Sequence, residues 1–377
     1  MSDRPEPDRL PDAPHPRETA RVFGHDPALA QVAQAIEGGR MHHGWLLTGP
    51  RGTGKATLGW AMARQLLARQ PDDMFAAPVP RDLTLDPGHP VARRVLALSE
   101  PRLALIRRPF DDKLGRLKTE IPVDTVRALK RFFALSAADG GTRVVIVDAA
   151  DDLNTSAANA LLKLLEEPPP DCVLILISHQ PARLLPTIRS RCRTLRLSPL
   201  APEDLARALA ATGAEVPADG PGRDRLARLA GGSVGRALGL TEGGGLGLYD
   251  RLMALFATLP DHDRPMALTL ADALGAREAE AERDLARDLI ALILSDLARA
   301  GVTGAVPQDL PPPAQAMLRR LSPDQTAARA WAEALPRIDG RMAHGLAVNL
   351  DPASLILDMV ATLDATASRA LFQTGPM

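Results

Sequence analysis

Residues 45–57 read WLLTGPRGTGKAT, and this stretch decides the fold that the sequence predicts. An apolar run typical of a strand comes first, a glycine-rich turn with a lysine follows, and a helical pattern begins at Leu58. Strand, glycine-rich turn and helix form the context of a phosphate-binding loop, or P-loop. Glycines let successive backbone N–H groups converge on phosphate oxygens, and the helix N-terminus adds positive charge. The residues expected to contact nucleotide are Gly49, Gly52, Thr53, Gly54, Lys55, Ala56 and Thr57.

One position of this loop departs from the usual pattern. The residue after the lysine is normally Ser or Thr, whose hydroxyl holds Mg²⁺, but here it is Ala56. Thr57 is one residue later and points about 100° away around the helix. ATP or ADP can still bind, whereas Mg²⁺ binding and metal-assisted hydrolysis are in doubt.

A second buried strand is predicted within residues 142–154, TRVVIVDAADDLN. Its β-branched run is typical of a central parallel strand and ends in Asp148, where P-loop proteins place the carboxylate that orders Mg²⁺. An acidic residue that polarises the attacking water follows directly in ATPases of this kind, but here Ala149 follows. The alternative is that Asp148 only caps a core strand. With the P-loop present, we favour a nucleotide site that has lost two hydrolytic groups.

Polar residues after the next strand add further candidates. The apolar run CVLILIS at 172–178 predicts a strand beside the P-loop, and Ser178 or His179 at its end is a candidate γ-phosphate sensor. Arg189, Arg191 and Arg193 then follow within five residues. The planar fork of arginine suits phosphate recognition.

Composition limits the function classes. The net charge of −1 provides no whole-chain attraction to DNA or to anionic membranes. The two cysteines, Cys172 and Cys192, cannot supply a four-ligand zinc site, so neither zinc nor another metal centre is expected. No apolar stretch approaches about 18 residues, and the N-terminus lacks an apolar signal core. We therefore expect a cytoplasmic protein with reduced thiols and no membrane partner.

The chain divides by composition. Residues 1–18 are rich in Pro, Asp and Arg and predict a disordered tail. Residues 19–197 predict an α/β domain with a parallel sheet flanked by helices, in which the proline-rich stretch 71–101 is interpreted as an insertion or long loop. Helical periodicity continues through 198–244, and 245–377 predicts an all-α domain.

Several segments resemble the AAA+ clamp loaders of bacterial DNA polymerase III. The departures at Ala56 and Ala149 fit the delta-prime family within that group. The matching segments are GHDPA at 24–28, GPRGTGKAT at 49–57, IPVDTVR at 121–127, VVIVDAADDLN at 144–154, NALLKLLEEPP at 159–169 and SRC at 190–192.

This resemblance implies a heteropentamer with delta and gamma/tau subunits that loads the sliding clamp onto primed DNA. It implies that residues 19–197 are a RecA-like P-loop domain, 198–244 a helical lid and 245–377 a collar used for oligomerisation. Arg191 would be an arginine finger acting in trans on a neighbouring motor subunit. Arg236 would be a sensor near the chain's own nucleotide. The chain departs from many family members in lacking the cysteine quartet of a zinc module.

Three interpretations follow. The favoured one is a non-hydrolysing subunit of a DNA-directed DNA polymerase holoenzyme, and it leaves open whether the chain is an enzyme in its own right. The main alternative is an ATP-hydrolysing motor subunit of the gamma/tau type, in which Thr57 and Asp151 would replace the missing groups. A P-loop kinase is the third, and the SRC context argues against it.

Overall fold

The computed structural model describes residues 5–9, 13–69, 78–135, 140–276 and 278–372. Two compact units emerge. The first comprises Met1–Val216 with Ala230–Leu238, and the second comprises Pro217–Leu229 with Gly239–Met377. The helical segment predicted at 198–244 is therefore divided between the two units.

A parallel five-stranded sheet organises the first unit, in the order β2-β5-β6-β1-β7. A short antiparallel hairpin, β3 with β4, was not predicted. The strands are β1 (Gly44–Thr48), β2 (Leu103–Arg107), β3 (Phe110–Asp111), β4 (Arg116–Leu117), β5 (Arg143–Asp148), β6 (Cys172–Ser178) and β7 (Arg193–Arg196).

The three central strands explain why this sheet forms. Every residue of β1, β5 and β6 is buried. Strands covered by helices on both faces read as continuous apolar runs rather than alternating ones, and these three do. The predicted α/β class, a parallel sheet flanked by helices, is confirmed.

The α-helices up to residue 230 either flank this sheet or come after its last strand along the chain. They are α1 (Asp26–Glu37), α2 (Lys55–Ala68), α3 (Pro90–Leu96), α4 (Val123–Arg127), α5 (Leu129–Leu135), α6 (Thr155–Glu166), α7 (Pro186–Ser190), α8 (Pro202–Ala210) and α9 (Gly220–Ala230). The helix predicted at 121–137 is thus two helices, α4 and α5, and its last two residues lie outside the described part.

The proline-rich stretch 71–101 was misinterpreted where the structure describes it. Leu83 and Val95 are fully buried, and Val79 and Val91 nearly so, all four within the core on one side of the sheet. Prolines recur along this stretch, but α3 and the turns before it still place the apolar residues of the stretch in the core. Residues 78–98 therefore contribute buried apolar side chains to the domain core, while 71–77 lie outside the described residues.

The rest of the chain is helical. It comprises α10 (Val234–Thr241), α11 (Gly245–Thr258), α12 (Arg264–Gly275), α13 (Glu280–Thr303), α14 (Pro312–Leu321), α15 (Gln325–Ala347) and α16 (Pro352–Phe372). We did not predict α12, although Asp263 caps it by accepting a hydrogen bond from the N–H of Met266 at 2.9 Å. Helix α15 continues through Pro336, because Ile338 and Met342 extend its buried face beyond the proline.

Candidate nucleotide site

Residues 49–54 connect β1 to α2 in a tightly packed loop. Gly52 and Gly54 have positive φ angles of 75° and 89°. A Cβ at Gly52 would lie 1.9 Å from Oγ of Ser233, and the Gly52 carbonyl accepts a hydrogen bond from the N–H of Val234 at 3.1 Å. A side chain at Gly52 would therefore displace the 233–234 segment, which explains why glycine occupies this place.

His25 holds the same loop from another direction, and sequence reasoning missed it. Its Nε2 lies 2.7 Å from the carbonyl oxygen of Thr53, so the ring donates to that carbonyl. Burial lowers the pKa of His25, which favours the neutral ring. Thr53 in turn donates from Oγ1 to the Pro50 carbonyl at 3.0 Å. In the sequence, His25 is a polar residue in the turn just before α1. No local pattern links that turn to the P-loop.

Lys55 lies at the start of α2 and is nearly fully buried. Its Nζ donates to the carbonyls of Gly49, at 2.8 Å, and Pro50. Burial lowers the pKa of Lys55 to about 8, and the negative charge of Asp148 opposes that shift. The ammonium group is thus hydrogen-bonded to the loop whose backbone would carry phosphate.

Asp148 ends β5 at the carboxyl edge of the sheet. Arg107 of β2 is its register partner on one side and Ile177 of β6 on the other. Burial, together with the nearby carboxylate of Asp8, raises the pKa of Asp148 to about 7, and the charge of Lys55 opposes that shift. This carboxyl group therefore titrates near neutral pH.

A cavity of about 510 Å³ brings the loop and Asp148 together. This volume lies within the usual range for small-molecule sites, about 300–1,000 Å³. Its polar side is formed by Gly52, Thr53, Gly54, Lys55, Ala56, Thr57, Asp148, Ala149 and His179. The lining also includes charged residues such as Asp8, Arg9, Arg51 and Arg108, and apolar residues such as Val22, Phe23, Leu200, Ala208, Val234 and Leu238. Among the expected contact residues, Gly49, Ser178 and Arg236 do not line it.

Ser178 is engaged elsewhere. Its buried Oγ donates to Oδ1 of Asp151 at 2.7 Å. The backbone N–H groups of His179 and Gln180 donate to Oδ2 of Asp151, at 2.5 and 3.1 Å. Asp151 therefore closes the end of β6, and His179 is the member of the predicted sensor pair that faces the cavity.

Arg191 lies at the end of α7, away from this cavity. Its side chain is 37% exposed and its Nη2 is 2.9 Å from Oε1 of Glu166. Its Nη1 donates to the carbonyl of Thr187 at 3.1 Å. The guanidinium is thus on the surface of the first unit, held by one exposed carboxylate and one carbonyl.

Arg236 occupies an exposed position in α10. Its backbone N–H donates to Oγ of Ser233 at 3.3 Å. The same helix contributes Val234, Gly235 and Leu238 to the cavity. The helix predicted to carry the sensor therefore reaches the site, while the arginine itself is outside the lining.

The N-terminal residues were predicted to be disordered, but the described ones pack beside the cavity. His15 is fully buried and its ring makes an edge contact with Trp60, with centroids 5.8 Å apart. Glu6 and Asp8 form ion pairs with Arg107. The polar composition of this segment predicted a tail exposed to solvent. In the folded chain, the carboxylates of Glu6 and Asp8 instead have a cationic partner in Arg107.

Other chemistry is not evident in the described part of the chain. None of its His, Cys, Asp and Glu side chains form a group that could hold a metal ion. Cys172 and Cys192 are free thiols, and burial raises the pKa of each to about 12. The described helices include none with the length and apolar character that spanning a membrane requires.

Comparison with known proteins shows a similarity over residues 24–201. A family model described as DNA polymerase III, delta subunit, matches residues 24–201. The DNA polymerase III subunit delta' of Pseudomonas aeruginosa is 42% identical over 157 residues, which are 41% of this chain and 43% of that protein. The delta' subunit of Escherichia coli is 32% identical over 217 residues, 58% of this chain and 60% of that protein.

A second subunit type also matches. The DNA polymerase III subunit gamma/tau of Mycobacterium tuberculosis is 31% identical over 196 residues, 52% of this chain and 31% of that protein. The chain spans about half the length of the delta' relatives that it matches. Residues 24–201 are therefore similar to the delta' subunits of DNA polymerase III.

Proposed function

We propose that this chain acts as the delta-prime subunit of a DNA polymerase III clamp loader during replication in the cytoplasm. It would assemble with delta and gamma/tau subunits in a heteropentamer that places the sliding clamp on primed DNA. The observation that carries the proposal is the position of Arg191. This arginine is exposed at the end of α7, outside the chain's own cavity, and lies within the segment that matches the family.

Arg191 would supply an arginine finger in trans. Its partner in this chain is Glu166, an exposed carboxylate, and exposed ion pairs contribute only about 0–1 kcal/mol. Exchanging that carboxylate for the γ-phosphate held by a neighbouring subunit therefore costs little. Such fingers accelerate phosphoryl transfer by about 10³–10⁵ in well-studied cases.

The chain itself would not hydrolyse ATP. Ala56 and Ala149 line the cavity where a hydroxyl and an acidic side chain are needed. The gamma/tau-like alternative requires Thr57 and Asp151 to act in their place, but Asp151 already accepts hydrogen bonds from Ser178, His179 and Gln180. Two observations thus support a chain that does not hydrolyse ATP. Positions 56 and 149 lack the required side chains, and the carboxylate of Asp151 is already hydrogen-bonded within the chain.

A nucleotide in this cavity would be held by the chain's own loop. ATP or ADP would be bound through backbone N–H groups at 52–55 and the helix N-terminus, with Lys55 moving from the carbonyls of Gly49 and Pro50 to a phosphate. A Mg²⁺ ion bound with the nucleotide would supply charge neutralisation. Asp148 could orient its water shell, but Ala56 has no oxygen with which to ligate it.

The test is ATP hydrolysis by the purified chain, alone and mixed with a gamma/tau motor subunit, delta subunit, clamp and primed DNA. We expect no turnover alone and turnover in the mixture that requires this chain. Robust turnover by the chain alone would contradict the proposal and favour the motor alternative. Failure to join the complex at all would contradict both.

A further inference from the structure

The N-terminal residues that line the cavity form a defined structure, called here the strap and comprising residues 5–9 and 13–18. Pro7, Asp8 and Arg9 from its first part, and Pro14 and Pro16 from its second, share the cavity with the P-loop. The strap therefore occupies part of the wall that a bound nucleotide would have to face.

Arg107 is the first anchor of the strap. Its guanidinium donates to Oδ1 of Asp8 at 2.8 Å and to Oε1 of Glu6 at 3.2 Å. Arg107 is also the neighbour of Asp148 across the β2–β5 ladder. The strap thus binds to the sheet edge at the strand that lies beside Asp148.

His15 and Arg17 hold the two parts of the strap together. Nδ1 of His15 accepts a hydrogen bond from the N–H of Arg17 at 3.0 Å, and Nε2 lies 3.2 Å from Oδ2 of Asp8. Arg17 donates from Nη1 to both carboxylate oxygens of Glu6, at 2.8 and 2.9 Å. These contacts hold the carboxylates of Glu6 and Asp8 next to the positive charges of Arg17 and Arg107.

Arg64 of α2 is the second anchor. This arginine is buried and donates to the backbone carbonyls of Arg17 at 3.2 Å and Thr19 at 3.0 Å. The N-terminus of α2 is the end of the P-loop, so the same helix binds the strap and forms the loop. A change in one of them can therefore be transmitted to the other through a rigid element.

The carboxylate of Asp8 opposes an anionic ligand. It lines the cavity close to the buried Asp148, whose pKa it raises, and Glu6 lies beside it on Arg107. A nucleoside di- or triphosphate carries several negative charges, and repulsion between like charges is strong where water is partly excluded. The ion pairs of Glu6 and Asp8 with Arg107 hold the strap at this edge of the sheet.

We propose that the strap competes with the polyphosphate of a nucleoside di- or triphosphate for the P-loop cavity, so that nucleotide binding and strap release are coupled. This coupling requires that the cavity bind nucleotide, but it does not require assembly into a clamp loader. It makes the occupancy of the nucleotide site depend on whether residues 5–9 and 13–18 are docked.

The test measures ADP and ATP affinity of the full chain by calorimetric titration, with EDTA present. The variant is E6Q/D8N, which removes the two strap charges that bind Arg107. We expect its ADP dissociation constant to fall by about tenfold, within the usual range of coupling between sites. The matched control is E215Q/E242Q, which removes two exposed carboxylates elsewhere and should leave affinity unchanged.

Hydrogen exchange on the unmodified chain provides a measurement that does not depend on any variant. We expect backbone amides of residues 5–9 and 13–18 to lose protection when ADP is added. Unchanged affinity in E6Q/D8N together with unchanged protection would overturn the proposal. An equal gain in the E215Q/E242Q control would also overturn it, as would absence of ADP binding by every variant. Clamp-loader assembly is scored separately, so failure of the two proposals can be distinguished.

Discussion

Ser178 and Asp151 are joined by a hydrogen bond of 2.7 Å from the serine Oγ to the carboxylate Oδ1. Two backbone N–H groups after β6 donate to the other oxygen of the same carboxylate. This arrangement gives Asp151 a structural role at the end of the strand next to β1. The acidic residue two positions after Ala149 is thus occupied by hydrogen bonds within the chain.

Asp151→Ala should therefore lower stability rather than act on chemistry. We expect the free energy of unfolding to fall by about 1–3 kcal/mol, because the buried Ser178 hydroxyl loses its acceptor. Urea denaturation of the isolated chain measures this, with the exposed Asp224→Ala as the control. Lost turnover in the assembled complex with unchanged stability would instead assign Asp151 to catalysis.

Arg191→Ala should slow one interface of the assembled loader. Removing a trans finger costs about 10³–10⁵ in rate at the site it serves, whereas total ATPase should fall only partly because other sites keep their own fingers. Clamp loading onto primed DNA is the measurement, and Arg189→Ala, an exposed arginine two residues away, is the control. Normal clamp loading by Arg191→Ala would contradict the finger assignment.

Ala56→Thr should introduce a dependence on Mg²⁺. The unmodified chain should bind ADP about equally with Mg²⁺ or with EDTA, because position 56 offers no oxygen to the metal. The threonine variant should bind several-fold more tightly with Mg²⁺, as measured by calorimetric titration. The control is Ala56→Val, because valine has the shape of threonine but no hydroxyl. Its ADP affinity should be the same with Mg²⁺ and with EDTA, and a gain with Mg²⁺ would show that packing, not metal ligation, causes the effect.

Asp148→Asn should alter how stability depends on pH. Burial raises the pKa of Asp148 from 3.8 to about 7, so the folded chain holds this proton more tightly than the unfolded chain does. Its contribution to stability is therefore full below pH 3.8 and is lost as pH rises toward 7. Relative to the unmodified chain, the variant should gain about 1–3 kcal/mol between pH 5 and pH 7 in urea denaturation. No change in that difference would place the pKa of Asp148 near its ordinary value.

Local patterns predicted much of the sheet and of the helices. The apolar runs at 45–48, 142–147 and 172–178 correspond to β1, β5 and β6 because parallel strands buried on both faces require continuous apolar residues. The glycine spacing predicted the loop that lines the cavity, since few other residues can adopt its backbone angles. Helix α12 could also have been found, because Asp263 and the proline after Arg264 are typical start signals.

Other features had no local signal. Helix α15 continues through Pro336, because burial of Ile338 and Met342 outweighs the hydrogen bond that proline removes. Ser178 belongs to a predicted strand, but its orientation toward Asp151 depends on how the loop at 149–152 folds back. His25 contacts the Thr53 carbonyl across 28 positions of sequence, and no periodicity connects them.

The α/β class, the glycine-rich loop between β1 and α2, and the alanines at 56 and 149 could all be read from the sequence. These depend on residue type and short spacing, which a linear pattern records. Only the tertiary structure decided that Asp8 docks on Arg107, 99 positions away, beside Asp148. A charged segment is disordered unless fixed partners offset its lost solvation and entropy, and the fold alone brings those partners together.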